Sequence, residues 1–92
     1  MLRLVTIDLT GADLAVFEAY EAKVLLLVAK HGGRVDLQVR RLDGISETHL
    51  LFFPDAQAFE RYRDDPVRTA LRGEWERCGA KLTAVEVDEV SY

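Results

Sequence analysis

The spacing of apolar residues switches repeatedly between two and three-to-four along this chain, and that change of period limits the fold more than any single motif. From Leu2 to Leu9, Val5, Ile7 and Leu9 fall on one face and Leu4, Thr6 and Asp8 on the other, the period of a strand. After the Thr10-Gly11 turn signal, Phe17, Tyr20, Val24 and Leu27 mark the stripe of a long amphipathic helix. Asp13 suits its first turn and His31-Gly32-Gly33 its exit, because glycine enters the left-handed cap conformation without a Cβ clash. Alternation returns over Arg34 to Leu42, with Val35, Leu37 and Val39 set against Arg34, Asp36, Gln38 and Arg40. Asp43-Gly44 is a hairpin signal that leads into a partner strand from Ile45 to Phe53.

Pro54 ends that strand, and Asp55 caps a short helix whose apolar face holds Ala56, Phe59 and Tyr62. Asp64-Asp65-Pro66 breaks the helix and starts another, with Asp65 as N-cap and Pro66 in the first helical position, where its missing N–H is not needed. Val67, Leu71, Trp75 and Cys78 share one stripe of this piece, and Gly79 suits its end. Residues 81–90 are read as the last strand, with Thr83, Val85 and Val87 opposite Leu82, Ala84, Glu86 and Asp88.

The order β-α-β-β-α-β predicts a ferredoxin-like α+β sandwich: a four-stranded antiparallel sheet with the helices on one face, the second helix broken in two near Pro66. At 92 residues the chain holds one core, so residues 1–92 are a single domain. The uncovered sheet face is expected to carry Leu2, Leu4, Thr6, Leu50, Phe52, Leu82 and Ala84 beside Asp8, Asp36, Gln38 and Arg40. An apolar patch of that extent, with the broad Leu25-Leu26-Leu27 band of the first helix, points to a homodimer closed over the sheet. Sixteen acidic against twelve basic residues oppose attraction to phosphate backbones and anionic lipid, so neither nucleic acid nor a membrane surface is an expected partner. The apolar run Val24 to Ala29 is far too short to span a bilayer and no export signal is read in Met1 to Thr10, so a cytoplasmic protein is expected. Cys78 is the single cysteine, which excludes an intramolecular disulfide and a cysteine-cluster metal site.

Tyr20-Glu21, His31-Gly32-Gly33-Arg34, Leu51-Phe52-Phe53-Pro54 and Ala58-Phe59-Glu60-Arg61-Tyr62 followed by Asp65-Pro66 give the chain a family look. It resembles the dimeric α+β barrel superfamily, and within it a bacterial domain-of-unknown-function family of short single-domain proteins. The resemblance implies two ferredoxin-like subunits whose sheets close into a barrel, with a pocket between sheet and helices in each. That superfamily holds cofactor-independent monooxygenases, isomerases, haem enzymes and sensing modules, so its fold does not select a reaction.

His49 lies in the third strand on the face of Leu51 and Phe53, either as a pocket residue or as a satisfied or solvent-facing strand histidine. Glu47 shares that face, but the two make a poor metal pair, and neither metal nor any other cofactor is expected. His31 suits a capping role at the helix C-terminus. Tyr20, Tyr62 and Trp75 sit on inner helix stripes, where their polar groups must find partners and where a flat aromatic ligand could stack. Arg34, Arg68 and Arg72 could each take a carboxylate or enolate oxygen, although for Arg68 and Arg72 a solvated ion-pair face with Asp64 and Glu76 is the stronger reading. Asp8, Glu86 and Asp88 share a polar sheet face in this reading, most simply as interface hydrogen-bonding groups and otherwise as a carboxylate pair with one raised pKa. The pocket candidates are thus Tyr20, Arg34, His49, Phe53, Tyr62 and Trp75. Two functions stay open: a homodimeric small-molecule binding or sensing module, and a cofactor-independent monooxygenase or isomerase for an aromatic or enolisable molecule.

Overall fold

Strand alternation and helix caps place the elements of the computed structural model, which describes residues 1–92, close to where the periods change. They are β1 (Leu2–Asp8), α1 (Leu14–Lys30), β2 (Arg34–Arg40), β3 (Ser46–Phe52), α2 (Ala56–Arg63), α3 (Pro66–Ala70), α4 (Arg72–Cys78) and β4 (Lys81–Val87). Asp13 caps α1 by accepting from the Val16 N–H, and Asp55 caps α2 by accepting from the Ala58 N–H at 2.8 Å. Asp65 caps α3 in the same way through the Val67 N–H, with Pro66 in the first turn. The second helical region breaks once more than the period predicts, at Leu71, which lies between α3 and α4. Within α2 the buried alanine is Ala58, while Ala56 is exposed.

The sheet order is β2-β3-β1-β4, all pairs antiparallel, and its two-layer build leaves one sheet face without helices. Directly paired residues share a face, which corrects three expectations. Leu82 and Ala84 pair with Ile7 and Val5 and so face the helices; it is Thr83, Val85 and Val87 that lie on the open side with Leu2, Leu4 and Thr6. In β2 a register shift between Val35 and Leu37 inserts Asp36 as an extra residue and inverts the alternation after it. Gln38 and Arg40 therefore stand beside His49 and Glu47 on the helix side, and Leu37 and Val39 join Leu50 on the open side. Glu86 pairs with Arg3 on the helix side, so it does not share a face with Asp8.

The core joins Val5, Ile7 and Leu9 to Phe17, Val24 and Val28 of α1 and to Phe53, Ala58 and Cys78. The Cys78 thiol is buried and donates to the Trp75 carbonyl, a packing role. Leu26 is 72% exposed, so only part of the leucine band faces inward. Where α1 meets α3, one Asp65 oxygen accepts from Lys30 Nζ at 2.8 Å and from His31 Nε2 at 2.7 Å. These bonds, with the Val67 N–H, hold the Asp65 carboxyl well below the ordinary carboxylate range. His31 also ends α1 as its C-cap residue, so the helix terminus and the hydrogen bond to Asp65 are tied together at one side chain.

Gly32 and Gly33 serve different needs in that exit. Gly32 has a φ of +80°, the left-handed region. A Cβ on Gly33 would lie 2.5 Å from the Phe52 carbonyl oxygen and 2.9 Å from a Val28 methyl, so the chain crosses β3 there without room for a side chain. Gly33→Ala is expected to cost about 2–3 kcal/mol in urea unfolding, and Gly32→Ala only ~1 kcal/mol. Equal costs would mean that the close approach at Gly33 relaxes freely.

Candidate functional site

Central strand β3 turns Glu47, His49 and Leu51 toward the helices, so two polar side chains enter a layer otherwise filled with apolar ones. His49 is 2% exposed, and its Nε2 meets Glu47 Oε2 at 2.6 Å. The other Glu47 oxygen accepts from Arg40 at 2.8 and 2.9 Å, and Arg40 reaches on to Glu18 of α1 at 3.2 Å. The β2 bulge makes this network possible, because it brings Arg40 to the helix side. A carboxylate only accepts, so Nε2 donates and Nδ1 is the ring nitrogen left for other partners. The carboxylate nearest to Nδ1 is Glu21 of α1, at 4.0 Å.

Glu21 occupies the inner stripe of α1 between Tyr20 and Val24, and it is 7% exposed. Burial, reinforced by the Glu47 charge and opposed by Arg68, pushes its carboxyl up to about 7. Burial likewise pushes the Tyr20 hydroxyl up to about 12, and raises that of Tyr62 against the opposing pull of Arg68. A buried carboxyl poised near neutrality beside an oriented imidazole is a combination suited to taking up or releasing a proton.

Between these groups and the helices lies a cavity of about 80 Å³. Val5, Val24, Leu25, Leu51 and Ala84 give it apolar walls, and His49, Glu21, Tyr20, Tyr62, Arg3, Arg68 and the Asp64-paired Arg63 supply its polar groups. An adjoining hollow of about 200 Å³ shares Tyr20, Arg68 and Leu82 with it and is bordered by Trp75. Glu21 also borders a groove of about 330 Å³ on the other side, together with Glu18, Arg40 and Glu47. No three His, Cys, Asp or Glu side chains converge as metal ligands would.

Of the residues singled out in the sequence, Tyr20, His49 and Tyr62 line the cavity together. Trp75 stands at the adjoining hollow, its ring 5.3 Å from that of Tyr20. Phe53 is fully buried behind the site, against Tyr62 at 5.2 Å and Phe59 at 5.5 Å, and acts as core. Arg34 lies elsewhere: it pairs with Asp36 at 2.6 Å and stacks over Phe52 of the open face. Arg68 departs from the expected ion-pair face, since Asp64 pairs with Arg63 instead and the Arg68 guanidinium lies over the Tyr62 ring. Arg3 and Glu21 join the site although no motif marks them; period two places Arg3 with Val5, and helical spacing places Glu21 with Phe17 and Val24.

No family model matches the chain, and no curated protein matches it in sequence. Solved structures do resemble it. SnoaB, a cofactor-independent oxygenase from Streptomyces nogalater, aligns over 97% of this chain and 93% of its own with a TM-score of 0.73 at 18% identity. An uncharacterised NIPSNAP domain protein from Burkholderia xenovorans aligns over 100% and 99%, with a TM-score of 0.64 at 15% identity. A candidate antibiotic biosynthesis monooxygenase from Deinococcus radiodurans aligns over 99% and 95%, with a TM-score of 0.61 at 13% identity. The likeness is one of fold: this chain shares the ferredoxin-like α+β fold of these proteins.

The raised Glu21 carboxyl carries a prediction for stability. A carboxyl that holds its proton more tightly folded than unfolded stabilises the fold fully below its ordinary value, and that contribution is lost as pH rises through about 7. Wild-type stability should therefore fall between pH 5 and pH 8 by roughly 2 kcal/mol on account of this group. Glu21→Gln should remove that slope and melt above the wild type at pH 8. Parallel pH profiles for the two proteins in urea unfolding would show that Glu21 ionises normally in the fold.

Proposed function

We propose that this protein is a homodimeric binding module for a small molecule, held in the cavity between the sheet and helices of each protomer. One observation carries the reading: an apolar cavity opens beside buried His49 and Glu21, where a layer built for stability alone would place aliphatic side chains. Tyr20 and Tyr62 flank the ligand in this reading, and Trp75 stands at its entrance. The open sheet face supplies the dimer contact, since Leu2, Leu4, Leu37, Val39, Leu50 and Val85 lie together there with no helix above them. Residues 1–92 then act as one dimeric barrel domain, working in the cytoplasm. No helix is long and apolar enough to cross a membrane.

A second reading rests on the Glu47–His49 hydrogen bond. Glu47 orients the imidazole and leaves Nδ1 to accept a proton from an enolisable ligand, the step required of a cofactor-independent oxygenase or an isomerase. Replacement of His49 by Ala separates the two: binding survives on both readings, and turnover is lost only on the second.

Native mass spectrometry tests the main reading, with a twofold mass expected at micromolar concentration and a monomer after Leu50→Lys. The neutral probe indole should shift the methyl NMR signals of Val24, Leu25 and Ala84 and leave Leu26 unmoved, and Ala84→Leu, which fills the cavity, should abolish the shifts. A wild-type monomer would remove the dimer, and unmoved cavity methyls would remove the binding site.

A further inference from the structure

We infer that the molecule held in this cavity carries a planar oxyanion, a carboxylate or an ionised phenol or enol, received by the guanidinium groups of Arg3 and Arg68. The inference rests on the binding reading and adds the ligand's charge. Carboxylates are plentiful in this chain, sixteen against twelve basic residues. Arg34, Arg40, Arg41 and Arg63 each meet one, at 2.6 to 3.2 Å. Arg3 and Arg68 line the cavity from β1 and α3. Neither makes an ion pair, and in each the Nε is buried without an acceptor. A buried N–H of a charged group left without a partner is costly, so two in one cavity mark positions where an acceptor belongs.

The surroundings define that acceptor. Arg3 lies over the Phe59 ring at 4.4 Å and Arg68 over the Tyr62 ring at 5.3 Å, neighbours one turn apart on α2. Stacking holds each guanidinium by its face and leaves its edge to donate, which suits a planar, bidentate acceptor. Arg68 Nη1 donates to the Arg63 carbonyl at 3.3 Å and the Tyr62 hydroxyl lies beside its guanidinium, but no carboxylate forms an ion pair with it. Glu86, across the sheet from Arg3, is exposed and makes no ion pair with it. Glu21 is the one carboxyl on the cavity wall. Aliphatic walls at Val24, Leu25 and Ala84 call for an apolar body behind the anionic head.

The test compares 2-naphthoate with its neutral isostere 2-naphthamide by isothermal titration, with 4-nitrophenolate as the phenolate probe. In the wild type an anion should bind at least about tenfold more tightly than the amide. Tight binding of naphthoate with weak 4-nitrophenolate would assign a carboxylate, and the reverse a phenolate or enolate. Arg68→Gln and Arg3→Gln should each reduce the advantage to within about threefold, while Arg61→Gln, at an exposed arginine outside the cavity, should leave it unchanged. Equal affinity of naphthoate and naphthamide for the wild type overturns the charge selection and leaves the binding reading standing. Failure of all three probes and of indole overturns both. Because the decisive comparison uses the wild type, a variant that does not fold leaves the test intact.

Discussion

The inward-facing row of the central strand governs the rest of the molecule. Glu47, His49, Leu51 and Phe53 face the helices in succession, so the covered side of the sheet is polar at one end and aromatic at the other. A buried carboxylate is stable only with donors around it, and the β2 bulge supplies Arg40 for that purpose. Glu18 of α1 then holds Arg40 from above, which ties helix to sheet at the polar end. At the other end Phe53, Phe59 and Tyr62 pack ring against ring and bind α2 to the same strand. The cavity opens between these two kinds of packing, where neither the ion pairs nor the aromatic cluster fills the space.

Two layers impose a second condition, because a sheet with helices on one side only leaves its other side in water. Here that side gathers Leu37, Val39, Leu50 and Val85 across neighbouring strands. The single inserted residue Asp36 decides much of this surface. Without the shift, Leu37 and Val39 would turn inward and Arg40 would no longer reach Glu47. The same local irregularity thus serves both the buried network and the apolar face.

The fold is shared with an oxygenase and with proteins of no assigned activity, so chemistry has to be argued from the cavity itself. Its polar groups come from elements distant in sequence: Arg3 from β1, Glu21 from α1, His49 from β3 and Arg68 from α3. That dispersal explains why some were legible and others were not. His49 and Tyr62 could be placed by strand and helix period on the covered side. Arg68 could not, because the breaks at Asp64 and Leu71 reset the helical phase and turn it over Tyr62. Arg34 illustrates the converse, since a cation at a helix exit looks available for a ligand until the strand is seen to carry it to the open face.

From the residues alone one can derive the order of elements, the Asp13, Asp55 and Asp65 caps, the break at Pro66 and the covered face of β1 and β3, because each follows from backbone propensity and side-chain period within a few residues. The face that β4 presents, the phase of β2 beyond Asp36 and the meeting of four distant side chains around one cavity were decided only by the folded structure. Register and bulges answer to the partner strand, and a cavity exists only where several packed elements leave space, so no local pattern along the chain records either.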